Sequence, residues 1–250
     1  MQYIWNRAIW SGDVVELFEY ERPVAVGWEA YRPGRSVEAS EEQKILNRLK
    51  TMRRARSNLM RLINANVRRW YDEDGRPYEP VFLTLTFANN VQDIDEGNKA
   101  FKNFRRRLEY EINVKLKYVC VVEFQERGAI HYHLVVFNLP YIPAEKLARI
   151  WRHGFIKINV IKDVDNVGAY MAKYMGKDVT DERLIGEKCY FSSRGLHKPR
   201  EKALTKEEID QLAAGLSGKE VYKVEYENEY TGKTVYKQYN LKRQQMERQA

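Results

Sequence analysis

The spacing of apolar residues changes period several times along the chain, and each change marks an element. In the stretch Asp13 to Val26, Val14, Val15, Leu17, Phe18 and Tyr20 read as a strand, with Glu21-Arg22-Pro23 as a turn. Ser40-Glu41-Glu42-Gln43 has capping-box form, and Ile45, Leu49, Met52, Leu59, Ile63 and Val67 then recur at helical spacing, predicting one long amphipathic helix to about Arg69. After the turn cluster Asp72 to Pro77, the alternating run Val81 to Phe87 predicts a strand with Thr84 and Thr86 on one face. Phe101, Phe104, Leu108 and Ile112 form the stripe of a helix over 97–112. Strands over 117–124 and 130–137 flank Glu126-Arg127-Gly128 and read as a hairpin. A helix through Trp151, a short strand over 155–161 and a helix from about Asn166 to Met175, closed by Gly176, complete this region. Thr205-Lys206-Glu207-Glu208 caps a further short helix, and the alternation over 220–239 around Thr231-Gly232 predicts a second hairpin, followed by a basic tail.

These elements predict an α+β fold with a largely antiparallel sheet and flanking helices. They divide the chain into N-terminal strands and the long helix (1–77), a core (78–200) and a C-terminal helix and hairpin (201–250). At 250 residues with 44% hydrophobic residues the chain can bury a real core, which argues against wholesale disorder. Cys120 and Cys189 alone supply neither a disulfide framework nor a thiolate zinc site. The first residues lack a signal-like apolar region, and no run approaches the ~18 apolar residues of a membrane span. A cytoplasmic protein with no membrane partner is the expectation. The net charge of +8 admits a polyanionic partner without requiring one. The long helix sharpens this, because Arg53, Arg54 and Arg56 belong to a basic face with no acidic residue from Gln43 through Tyr71. A solvated surface and a phosphate-binding face both fit that pattern.

Chemistry concentrates in two places. In Ile130-His131-Tyr132-His133 the two imidazoles project from the same face of an apolar strand, as a chelating pair or as a hydrogen-bonded one. A three-residue loop with Gly128 left-handed pairs Gln125 with Ala129 and brings Glu123 opposite His131. A two-residue loop would bring Phe124 there instead, and Gln125 is the fallback ligand. Two histidines and a carboxylate suit Mn²⁺ or Mg²⁺, while Zn²⁺ and Fe²⁺ are also compatible. The second place is Gly168-Ala169-Tyr170-Met171-Ala172-Lys173-Tyr174-Met175-Gly176-Lys177, where Tyr170 and Tyr174 share a helix face and each precedes a lysine by three residues, Lys173 and Lys177. Packing against a sheet is the plain role for such tyrosines; nucleophilic attack is the other.

The order Phe82-Leu83-Thr84-Leu85-Thr86-Phe87, His131-Tyr132-His133 and Tyr170-x-x-Lys173-Tyr174 resembles the three motifs of the HUH endonucleases. Within them it is similar to the two-tyrosine rolling-circle replication initiators of phages and plasmids. Trp151-Arg152-His153-Gly154 and Ser192-Ser193-Arg194-Gly195 resemble further segments of such proteins. The resemblance covers about 81–199 and leaves out the long helix and the C-terminal hairpin. It implies a ferredoxin/RRM-like palm with the His-x-His strand near the sheet centre, and His131, His133 and Glu123 as metal ligands. It further implies Tyr170 or Tyr174 as the nucleophile forming a 5′-phosphotyrosine, with Lys173 and Lys177 stabilising charge. The small Gly168-Ala169 step would let DNA approach the helix and slightly favours Tyr170 as the initiating nucleophile. Arg194 would hold a phosphate, with Thr84 and Thr86 facing DNA; outside the resemblance, the missing counter-charges on the long helix favour Arg53, Arg54 and Arg56 as phosphate contacts. Implied partners are single-stranded origin DNA and a prokaryotic host's helicase and polymerase. A transposase or mobilisation relaxase with the same chemistry, or a binding module whose aromatics stack bases without cleavage, are the rival readings.

Overall fold

The computed structural model describes residues 2–26, 40–162, 164–174 and 190–243. The chain forms two compact units, one from residues 1–40 and 198–250 and one from 41–197. This division differs from the three segments read along the sequence: the long helix goes with the core, and the first strands go with the C-terminal hairpin. The reason is pairing. In the first unit β1 (Gln2–Ser11) and β2 (Val14–Val26) form a hairpin, β10 (Gly232–Asn240) adds to β2, and β9 (Glu220–Asn228) and β8 (Arg200–Leu204) close the two edges. α5 (Lys206–Gly215) carries the expected capping box, Thr205 with Glu208, and buries Ile209 with Ala8, Val15, Leu17 and Tyr239.

Pro23 does not end β2. Its strand resumes at Val24 opposite Ile4, after Tyr20 to Pro23 have bulged out against Trp5, so the missing proline N–H costs no bond to β1.

The second unit is built on a five-stranded antiparallel sheet ordered β6-β3-β5-β4-β7, from β3 (Val81–Thr86), β4 (Tyr118–Phe124), β5 (Ile130–Val136), β6 (Ile156–Val160) and β7 (Phe191–Ser192). The alternation that predicts these strands also sorts their side chains into two cores. Leu83, Leu85, Tyr118, Cys120, Tyr132 and Leu134 face α2 (Ile94–Ile112) and α3 (Ala144–Trp151), with Phe101, Phe104, Leu108 and Trp151 against them. Phe82, Val119, Val121, Val135 and Phe137 face α1 (Glu41–Asn64) and α4 (Val167–Ala172), through Leu59, Ile63, Val167 and Met171. The sheet is therefore a middle layer, and the face under α1 and α4 carries the histidines.

α1 stops at Asn64, short of the expected Arg69. Asn64 turns its amide to α4, Asn66 bonds the Leu62 carbonyl and both backbone groups of His197, and Arg68 takes a left-handed φ of +54°. The expected end of α4 at Met175 and Gly176 lies outside the described residues. No helix among the described residues is long and apolar enough to cross a membrane.

Candidate active site

Register places the site. Gly128, with φ +86°, donates its N–H to the Gln125 carbonyl (2.7 Å), and Gln125 donates to Ala129 (2.9 Å), which is the three-residue loop. Glu123 consequently pairs with His131 and Phe124 with Ile130. Arg127 pins the loop to the end of β3 by donating to the Phe87 carbonyl (2.6 Å), and its Nε holds the Gln125 amide oxygen. Gln125 is thereby tied into the turn. On the other side of β5, Thr84 pairs with His133 and Thr86 with His131.

His133 is buried and engaged at both ring nitrogens. Its Nε2 lies 2.6 Å from Glu123 Oε2 and its Nδ1 lies 3.2 Å from Thr84 Oγ1. An ionised carboxylate can only accept, so Nε2 donates to Glu123, and Nδ1 shares a hydrogen bond with the threonine hydroxyl. His131 differs. Its Nε2 is buried with no hydrogen-bond partner in the described structure, and burial, then neighbouring His133, push its pKa down to about 4. It is a neutral imidazole at physiological pH with an uncommitted nitrogen.

The tyrosines arrive from above. Asn166 caps α4 by accepting from Ala169 N–H, and Asn64 ties this cap to α1 by donating to Asn166 (2.9 Å) and accepting from Gly168 N–H (2.8 Å). Gly168 is buried where a Cβ would collide with the Met60 backbone of α1. The small residue serves the packing of α4 on α1. Tyr174 stacks on the His133 ring with centroids 4.1 Å apart. Phe82 sits at the hub, its ring 5.9 Å from His133, 5.4 Å from Tyr170 and 5.2 Å from Tyr174. The tyrosine rings are 6.3 Å apart, and Lys173 Nζ lies 5.6 Å from the Tyr170 ring. Burial, a hydrogen bond with Tyr170 and the charge of Glu123 push the Tyr174 phenol up to about 12.

His131, His133, Glu123, Thr84, Thr86, Tyr170 and Tyr174 thus share one face. Arg53, Arg54 and Arg56 are exposed on α1, and Arg194 lies beyond the β4–β7 edge, where Lys117 Nζ donates to its carbonyl. Lys177 lies outside the described residues. Trp151-Arg152-His153-Gly154 is structural in what it touches: Trp151 Nε1 donates to the Thr86 carbonyl, and the His153 carbonyl accepts from Ala88 N–H. The sequence reading assigned no role to Phe82 or Asn64; the Asn166 cap, three residues ahead of Ala169, was the one available signal for the polar tie.

The donor chemistry fits a divalent cation, since a carboxylate and two imidazoles converge and His131 Nε2 is orphaned in a buried position. In the described residues, however, Glu123 and His133 bond each other, and no group of three or more His, Cys, Asp or Glu side chains is arranged to hold a metal.

The fold is α+β, with the His-x-His strand at the centre of an antiparallel sheet, which is consistent with an HUH-type fold. Residues 80–179, from β3 through α4, match the family model of the replication-associated protein ORF2. The replication-associated protein ORF4 of Chlamydia phage 1 is 27% identical over 120 residues, covering 38% of this chain and 30% of that protein. The Phasyl DNA replicon protein arp of Escherichia coli is 29% identical over 129 residues, covering 39% of this chain and 43% of that protein. The chain therefore spans less than half the length of either relative in these matches. No solved structure matches. Over these residues the chain is thus similar to replication-associated proteins.

Proposed function

We propose that the chain nicks and rejoins single-stranded DNA at a replication origin through a tyrosine–phosphate link. The observation that carries this reading is the Tyr174 ring stacked at 4.1 Å on His133, whose Nε2 meets Glu123 at 2.6 Å. A candidate nucleophile and the candidate ligands are thereby one cluster.

The phenolic oxygen attacks phosphorus, the bond to the 3′ oxygen breaks, and the strand is left as a 5′-phosphotyrosine and a free 3′-hydroxyl. The phenolic proton goes to solvent, and the departing oxygen takes one up. No nucleotide cofactor is consumed, because the new ester keeps the energy for rejoining. A host polymerase would extend the 3′-hydroxyl, and a host helicase would open the duplex ahead of it. His131, His133 and Glu123 would hold Mn²⁺ or Mg²⁺, which supplies positive charge to the scissile phosphate and offsets Glu123 beside the phenol. Thr84 fixes His133, and Phe82 fixes all three rings in place. Tyr174 is the favoured initiator on this geometry, with Tyr170 one turn away to make the second transfer and Lys173 and Lys177 to stabilise developing charge. Arg53, Arg54 and Arg56 would bind backbone phosphates, as would Arg194, with Thr86 beside them on the sheet.

The test is an incubation with single-stranded origin DNA and Mn²⁺. A covalent protein–DNA band that survives denaturant and vanishes in the Tyr170→Phe/Tyr174→Phe double variant is expected; cleavage without any covalent species would overturn the proposal.

A further inference from the structure

On the opposite face of the sheet from the histidines, α2 and the β4–β7 edge enclose a cleft of about 940 Å³. Its floor is apolar and aromatic, from Phe101, Val122 and the half-buried Phe191, whose ring meets Phe101 at 5.1 Å and Tyr118 at 6.3 Å. Its rim is cationic, from Lys102, Arg105, Lys115, Lys117 and Arg194. Among the described residues the one lining carboxylate, Glu109, is buried and already engaged: it accepts from Leu116 N–H at 3.1 Å and has Lys115 and Arg105 at 3.5 and 3.6 Å. Lys102 and Arg194 are exposed on this rim, Arg105 and Lys115 lie against Glu109, and Lys117 Nζ donates to the Arg194 carbonyl over the Trp70 ring, so the positive charge around the apolar hollow exceeds the negative charge of its described lining.

That combination selects a ligand that is planar and apolar at one end and anionic along the other. We propose that the cleft takes an unpaired nucleotide of a single-stranded nucleic acid, base toward Phe191 and Val122, phosphates on Lys102, Arg105 and Arg194. A base held in a duplex stack cannot enter such a hollow, and an acidic peptide would leave the aromatic floor unused. The position also fits. Val122 lines the cleft and the next residue, Glu123, belongs to the candidate active site, so the two lie back to back across β4. β7, at the edge of the described sheet, is only two residues long. This placement rests on the proposed DNA function; the cleft's preference for an unpaired nucleotide does not.

The test is fluorescence anisotropy of the full chain with a fluorescein-labelled oligothymidylate of about 16 nucleotides, without divalent metal, over a range of salt concentrations. Phe191→Leu should weaken binding roughly tenfold while leaving the salt slope unchanged, because it removes stacking and no charge. Lys102→Gln and Arg194→Gln, both exposed, should weaken binding and each reduce the slope by about 0.7, the mark of a lost phosphate contact. Unchanged affinity in all three variants, or equal competition by polyglutamate, overturns the proposal. Because no metal is present, a failure to nick leaves this result standing, and unchanged binding removes the cleft whatever the nicking assay shows. If Phe191→Leu loses its native circular dichroism, the two surface variants decide.

Discussion

His133 holds a carboxylate at one nitrogen and a hydroxyl at the other, so it organises the site even before any cation is considered. Replacing it leaves Glu123 without that partner in a mostly buried position, which costs about 1–3 kcal/mol of stability. His133→Ala is therefore expected to keep native circular dichroism, lose a little stability and form no covalent adduct with DNA. Undiminished Mn²⁺-dependent nicking would remove the metal-site proposal. Glu126→Ala should change neither quantity, since Glu126 belongs to the turn. At this scale the sequence was informative where a spacing rule applied: a period of two put both histidines on one face, and Gly128 set the register that delivers Glu123. It was silent on which way a side chain leans. Nothing in the spacing says that Glu123, paired with His131, would bond His133 across the diagonal, or that Tyr174 and not Tyr170 would lie on that ring.

Between elements, the contact that positions the tyrosines is α1 against α4, closed at Gly168 and tied by Asn64. Gly168→Ala forces a methyl group into the Met60 backbone and should destabilise the protein by about 1–3 kcal/mol, read from urea unfolding. It should also cut adduct yield at temperatures where the variant is fully folded, because α4 must shift. A second contact, α5 on β2, carries a pH signature. Burial raises the Glu19 carboxyl, but hydrogen bonds from Lys206 and Lys237 outweigh it and leave its pKa below the ordinary value. A depressed carboxylate stabilises the fold above its unfolded pKa of about 4.5 and loses that contribution as pH falls through the folded value. Glu19→Gln should thus cost roughly 0.5–1 kcal/mol near neutrality after solvent screening and nothing at low pH. Equal loss across the whole range would contradict the pairing. Helix and strand types were readable from periodicity in the second unit except for the two-residue β7, too short to show a period, but ends were not: Asn64 and Asn66, which take over backbone partners, stop α1 in a place its apolar stripe does not mark.

For the molecule as a whole, the legible part was the sheet of the second unit, most of whose strands are joined by nearby turns and helices. The first unit was not legible as a unit. β2 pairs with β10 across more than 200 positions, and in β1 the adjacent residues Ala8 and Ile9, on opposite faces of the sheet, are both buried, so its apolar residues follow one another without alternation. Local pattern carries no information about such partners. The candidate chemistry sits in the second unit, and a nucleophile held on a helix over a sheet needs an accessible strand. Origin sequence offered single-stranded should therefore be cut, and the same sequence in relaxed duplex poorly, with cutting suppressed by salt as phosphate contacts are screened. Equal cleavage of both forms would count against this mechanism. The account turns on two tyrosines reaching one phosphate, and peptide mapping of the DNA-linked adduct reads this directly. The expected result is DNA on Tyr174 in the wild type, on Tyr170 in Tyr174→Phe, and on neither in the double variant, with successive transfers only in the wild type. If all DNA maps to one tyrosine and Phe at the other changes neither cleavage nor a coupled second transfer, the alternating mechanism is wrong, and that second ring is packing alone.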